Sequence, residues 1–146
     1  MLSGVVLSGG EPCLLEDLPN LIEEIKNLSL LVKLDTNGMF PDMLEKLFKT
    51  EKWRPDYVAL DLKLAPDRYK ELLPPGSNID SATRLCQSAQ LIRESGITHE
   101  FRSLNLPDGY FSEKDVEALS PLAGDSPWHF KPFVSGNCLD PAWNEK

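Results

Sequence analysis

Short apolar runs alternate with longer stretches of helical periodicity along almost the whole chain. Val5-Val6-Leu7, Leu31-Val32-Lys33-Leu34 and Tyr57-Val58-Ala59-Leu60 have the length and the β-branched or aromatic character of buried strands. With two later runs they predict strands at about 3–8, 31–35, 56–62, 97–106 and 128–134. Between them apolar residues recur every three or four positions. Leu14, Leu18, Leu21, Ile22 and Ile25 predict a helix over 14–27, and Met43, Leu44, Leu47 and Phe48 one over 41–50. Ile79, Ala82, Leu85, Cys86, Ala89 and Ile92 predict a third over 79–95, closed by Gly96 in the position of a helix-ending glycine. Pro66 to Leu72 reads as a short helical turn ended by Pro74-Pro75-Gly76, and Ser112 as the N-cap of a helix to about Leu119.

Strand and helix in alternation imply parallel strands joined by crossovers, an α/β fold. Five strands are too few for a filled barrel of about eight, so the sheet is expected to be open or partial. The ends of the first three strands carry the polar groups: Gly9-Gly10-Glu11-Pro12, then Asp35-Thr36-Asn37-Gly38, then Asp61-Leu62-Lys63. Gly9 to Asp35 and Asp35 to Asp61 are both 26 residues, the length of one strand-plus-helix unit. The three units therefore aim backbone amides and acids at one rim, and the carboxyl ends of parallel strands are where such folds hold ligands.

Composition narrows the partners. With 146 residues, 41% of them hydrophobic, the chain suits one domain, 1–146, with a real core. A net charge of −8 argues against nucleic acid and against an anionic membrane surface, both of which reward lysine and arginine. No apolar run approaches the roughly 20 residues of a membrane span. Cys13, Cys86 and Cys138 are odd in number and widely spaced, which fits neither a disulfide framework nor a metal knuckle, and suits a reduced cytoplasm. Cys86 is expected in the core of its helix and the other two as incidental.

Each rim residue has a bland alternative. A tight turn after a strand uses glycine for structure alone, Asp35 could cap its own turn, and Asp61 with Lys63 could be an internal ion pair. These alternatives weaken together, because unrelated structural acids have no reason to fall at one level of adjacent strands. His99 and His129 come with no cysteine or histidine cluster and read as ordinary strand histidines. Trp143 reads as a packing residue.

Ser8-Gly9-Gly10-Glu11-Pro12, Asp35-Thr36-Asn37-Gly38, Asp61-Leu62-Lys63, Glu100-Phe101-Arg102 and the ending Phe133-Val134-Ser135-Gly136-Asn137-Cys138-Leu139-Asp140-Pro141 together resemble the radical S-adenosylmethionine (SAM) superfamily. The nearest likeness is to activating proteins of glycyl-radical enzymes, of the anaerobic ribonucleotide reductase and pyruvate formate-lyase types. The resemblance implies a partial (β/α)6 TIM-like barrel whose second to sixth strands are the five read here, with helices outside. It implies that Gly9, Gly10 and Glu11 hold the methionine amino group of SAM, and that Asp35, Asp61, Lys63 and Arg102 contact or face its methionine moiety. Asp35, Thr36 and Asp61 match ligands of a monovalent cation beside SAM. A zwitterionic amino acid does need acids for its ammonium and a cation for its carboxylate.

The departure is large. The family's CxxxCxxC, whose three thiolates hold a [4Fe–4S] cluster, has no counterpart in this sequence, and Val134 stands where the pyruvate formate-lyase type carries a histidine. The chain is accordingly expected to be a fragment lacking the first βα unit, the cluster belonging to the full-length protein only. By the resemblance the full-length protein cleaves SAM to a 5′-deoxyadenosyl radical and generates a glycyl radical on a partner enzyme, fed by a reductant such as flavodoxin or ferredoxin. A non-catalytic module that binds SAM or the partner is the alternative, and a phosphate-binding α/β enzyme a third. The loss of a neighbouring strand is also expected to leave an apolar edge at residues 3–8, covered by self-association or by Met1-Leu2.

Overall fold

The computed structural model describes residues 2–136, 138 and 141–143. Five strands, β1 (Gly4–Leu7), β2 (Leu31–Thr36), β3 (Tyr57–Asp61), β4 (Thr98–Asn105) and β5 (Trp128–Pro132), form one all-parallel sheet in the order β1-β2-β3-β4-β5. Helices α1 (Leu18–Asn27), α2 (Pro41–Lys49), α3 (Ser81–Glu94) and α4 (Glu113–Ala123) connect or follow them. This is the α/β architecture that the alternation of patterns predicts.

The register divides the sheet into two unlike faces. Val32, Leu34, Val58, Leu60 and Phe101 are fully buried against Ile22, Leu44, Leu47, Leu85, Ile92 and Leu119 of the helices. Of the residues of the opposite parity, Ala59 is buried, while Lys33, Asp35, Tyr57, Asp61, Glu100 and Arg102 share its face and are only partly covered. One face thus supplies the hydrophobic stabilisation, and the other carries charge. Val6 is 57% exposed on β1, which among the described residues pairs with β2 alone; Leu2 is 69% exposed, and Met1 lies outside the described residues.

Several boundaries differ from the sequence expectation for identifiable reasons. The helix expected from residue 14 begins at Leu18. Before it, Glu11 caps a 3₁₀ turn over Pro12–Leu14 by accepting from Cys13 N at 3.1 Å, and Leu15 then returns to extended backbone, so Leu14 is 64% exposed. The helix expected from residue 79 begins at Ser81, where Asp80 accepts from Thr83 N at 3.1 Å. Its buried positions are Ser81, Leu85, Ser88, Ala89 and Ile92, which leaves Cys86 on the solvent side and Ile79 outside the helix. The expectation for the cysteines is reversed, since Cys13 is the buried one. Ser112 does cap α4, which continues through Pro121 to Ala123 instead of ending near Leu119. The segment Pro66–Leu72 is 3₁₀.

Candidate functional site

The three polar strand ends converge. A cavity of about 110 Å³ is lined by Ser8, Gly9, Gly10, Glu11, Asp35, Thr36, Asn37, Asp61, Lys63 and Arg102. All seven residues expected to bind the cofactor, Gly9, Gly10, Glu11, Asp35, Asp61, Lys63 and Arg102, are among them. Asp61 closes β3 and Lys63 lies beyond the strand, so their shared direction comes from the loop and not from strand alternation. Tyr69 supports that loop: its buried hydroxyl accepts from Lys63 N at 2.8 Å and donates to Asp61 O at 3.1 Å.

Arg102 organises the acids. Its Nη1 donates to Asp35 Oδ2 at 3.1 Å, and Nη2 and Nε lie 2.9 and 3.0 Å from Asp61 Oδ1. Burial alone would lower the guanidinium pKa, but Asp61 and Asp35 outweigh it and hold the group above its usual value. Lys63 Nζ stands 3.6 Å from Asp61 Oδ2 and remains half exposed. The ion pair considered for these two residues is therefore present, within a larger cluster.

Glu11 has a bracing role. Its Oε1 accepts from Thr36 Oγ1 at 2.8 Å as well as from Cys13 N, and its Oε2 accepts from Asn37 N at 2.7 Å. The loop after β1 is thereby fixed to the end of β2. The β2 loop is held from its other side by Ser88, whose hydroxyl donates to Gly38 O at 2.7 Å. Gly9 and Gly10 have φ of +82° and +34°, and a Cβ added at either would meet nothing within 4 Å, so open space lies over both.

One atom of the cluster is left over. Asp35 Oδ1 is buried and accepts no hydrogen bond among the described residues, and Lys33 Nζ stands 3.9 Å from it. A buried carboxylate oxygen without a donor is costly, and such an atom marks a place for an incoming donor. An open glycine turn, an unsatisfied acid oxygen and a half-exposed lysine fit the ammonium and carboxylate ends of an amino acid. Asp35, Thr36 and Asp61, the residues expected to ligate a monovalent cation, are engaged with one another's neighbours. Thr36 Oγ1 already donates to Glu11 and accepts from Gly38 N at 3.2 Å, and the Arg102 guanidinium stands between the two acids. No group of three or more histidine, cysteine or acidic side chains able to hold a metal occurs among the described residues.

A larger cavity of about 440 Å³ adjoins the rim, sharing Asp61, Lys63 and Arg102 and continuing over Leu64, Leu72, Leu104 and Leu106 to Lys131. It gives the rim an apolar extension.

Other expectations resolve as follows. His99 is an ordinary strand histidine, its Nδ1 2.7 Å from Ile97 O and its Nε2 2.9 Å from Ser126 Oγ. His129 Nε2 lies 3.6 Å from Glu100 Oε2. Trp143 packs, with its ring 5.7 Å from those of Tyr110 and Phe133. Asn137, Leu139 and Asp140 of the terminal motif lie outside the described residues. Sequence reasoning did not place Lys33 and Glu100 at the site, though they join beneath the rim at 3.0 Å. The available signal was Lys33 itself, a charge inside an apolar strand that had to be paired.

No protein-family model matches the chain. A Methanocaldococcus jannaschii protein, provisionally named as a glycyl-radical enzyme activating enzyme, is 31% identical over 125 residues, which are 83% of this chain and 50% of that protein. A Methanococcus maripaludis protein provisionally named as a GTP 3′,8-cyclase is 35% identical over 86 residues, 58% of this chain and 28% of the relative. The chain thus spans half or less of the curated relatives it matches. Among solved structures, TYW1 with a lysine-pyruvate adduct bound superposes with a TM-score of 0.69 at 20% identity, over 90% of this chain and 42% of the other. A radical SAM methyltransferase from Sphaerobacter thermophilus superposes with a TM-score of 0.63 at 19% identity, over 90% of this chain and 40% of the other. These neighbours share the fold. No helix among the described residues is long and apolar enough to cross a membrane.

Proposed function

We propose, taking as premise the radical SAM superfamily that the relatives' names and the fold neighbours support, that this chain is the SAM-binding part of a radical SAM enzyme. In that superfamily SAM bound at a [4Fe–4S] cluster supplies a 5′-deoxyadenosyl radical. The residues of this chain bind and orient. Gly9 and Gly10 let the methionine end approach the main chain, Asp35 and Asp61 face its ammonium, and Lys63 meets its carboxylate. Arg102 holds the two acids in place. The rest of the molecule extends into the adjoining apolar cavity.

The observation that carries this reading is the unsatisfied Asp35 Oδ1 beside the open Gly9-Gly10 turn. A phosphate is disfavoured at the same turn. No α-helix starts there, since α1 begins only at Leu18, and the surrounding side chains Glu11, Asp35 and Asp61 are acids.

The activity of the complete protein is a wider proposal. Generation of a glycyl radical on a partner enzyme is supported by the name of the Methanocaldococcus relative, and flavodoxin or ferredoxin as reductant is a further part of the proposal. The cysteines here offer no three thiolates at one place, so a cluster needs ligands from elsewhere in the protein. Calorimetric titration with SAM tests the binding reading: weak but measurable binding is expected, and Asp61→Asn combined with Lys63→Ala should abolish it. Equal affinity before and after those changes would show the rim to be misassigned.

A further inference from the structure

Lys33 and Asp35 lie two residues apart on β2 and therefore on the same face, so the Lys33 ammonium has Asp35 within reach. It also has Glu100, on β4 beyond the intervening β3. The two acids are not used equally. Lys33 Nζ donates to Glu100 Oε1 at 3.0 Å but stands 3.9 Å from Asp35 Oδ1, beyond hydrogen-bonding distance. The Tyr57 ring lies 4.9 Å from the same ammonium and adds a second attraction.

We infer that Glu100 is a positioning residue: by holding Lys33, it keeps Asp35 Oδ1 open for the cationic group of a ligand. The inference rests on the amino-acid-binding reading of the rim and names a residue that never touches the ligand.

The physical case is a competition for one ammonium. Asp35 Oδ2 is already taken by Arg102 at 3.1 Å. If Lys33 closed the remaining distance to Oδ1, both oxygens would be satisfied internally and an entering ammonium would have to displace a lysine. Glu100 prevents this by offering the better acceptor. Its own charge is secure: burial would raise its pKa, but the Lys33 hydrogen bond and charge, with Tyr57 and Arg102, hold it below the usual carboxylate value. The cluster thus stores an unsatisfied, buried acceptor on a residue that lines the rim cavity, with the neighbouring cation tethered elsewhere.

The test is a mutant cycle on this chain, titrated with SAM by calorimetry. Glu100→Gln frees Lys33 to swing to Asp35 and should weaken binding about tenfold, the effect of one hydrogen bond to a charged group. Lys33→Met should bind at least as tightly as wild type, and the double variant should match Lys33→Met, because without the lysine nothing closes the acceptor. Glu100→Asp, which keeps the charge, should stay within about threefold of wild type. A double variant as weak as Glu100→Gln, or a Lys33→Met variant that binds more weakly than wild type, would overturn the inference. If wild type binds no SAM, the rim reading fails by itself. The inference is then decided by the crystal structure of Glu100→Gln: Lys33 Nζ within hydrogen-bonding distance of Asp35 Oδ1 supports it, and Lys33 left in place overturns it.

Discussion

Arg102 holds Asp61 through two nitrogens on one oxygen, at 2.9 and 3.0 Å, while its remaining terminal nitrogen reaches across to Asp35. One guanidinium on β4 therefore locks the ends of β2 and β3 together, a task suited to a planar fork and not to a point charge.

Loss of that fork should be expensive. Arg102→Met leaves two acids facing each other on a half-covered sheet face, and a cost of about 2–4 kcal/mol is expected in urea denaturation, toward the lower part of the range for a broken buried pair. Arg102→Lys should recover only part of it. A denaturation curve unchanged by Arg102→Met would mean that solvent already screens the two carboxylates from each other.

The glycines of the rim should separate binding from stability. Gly10→Ala meets no neighbour, so only its positive φ is penalised, by about 1 kcal/mol, yet the added methyl projects into the open space and should weaken SAM binding. Gly38→Ala is the contrasting case. Its Cβ would come within 2.7 Å of Leu60 Cδ1 in the closed core, at a φ of +79°, and a loss of about 2–3 kcal/mol is expected. Thermal melts and titrations of the two variants in parallel distinguish these effects.

Acid should unfold the protein partly through Asp115. This side chain, 1% exposed, accepts from Ala65 N at 2.9 Å, from Ser112 N at 2.9 Å and from Arg68 Nη1 at 2.8 Å, tying α4 to the segment after β3. Burial would raise its pKa, but the Ala65 and Ser112 bonds and the Arg68 charge prevail and hold it below the ordinary carboxylate value. A lowered folded-state pKa contributes stability above the unfolded-state value, near 4, and loses it as the pH falls further. Asp115→Ala should cost about 3–5 kcal/mol at pH 7, and Asp115→Asn should flatten the decline below pH 4. Denaturant midpoints at pH 7, 4 and 3 check both expectations.

Thiol chemistry should follow burial. Burial first, and then the charge of Glu11, push the Cys13 thiol up to about 12, whereas Cys86 is exposed on α3. Peptide mapping after brief iodoacetamide treatment of the native protein should find Cys86 modified and Cys13 intact, and denaturant should abolish the difference. Modification of native Cys13 would mean that the Glu11–Thr36 brace opens readily.

The strand positions were legible because each parallel strand carries its own apolar run, and the rim because equal 26-residue intervals set Gly9, Asp35 and Asp61 at one level. Local hydrogen bonding was less visible. The capture of Cys13 N by Glu11, which delays α1 to Leu18, needs the end of β2 to hold the carboxylate in place. Cys86 was misplaced because the apolar stripe of α3 can be drawn through either Leu85 or Cys86, and only the packed sheet decides. The partners Lys33 and Glu100, and Arg68 and Asp115, are 67 and 47 residues apart, and no short-range pattern announces such pairs.

Every strand here lies beside its neighbours in sequence, so the sheet can grow one strand at a time from β1 to β5 during synthesis. The Glu11–Thr36 joint can close once the chain through Asn37 is available, but the clamp on Asp35 and Asp61 must wait for Arg102. Until then the two acids stand without their shared counter-charge on a growing edge. The link between the two acids thus depends on β4, and a polypeptide ending before it would carry the glycine turn and the braced β2 loop without the guanidinium that joins Asp35 to Asp61.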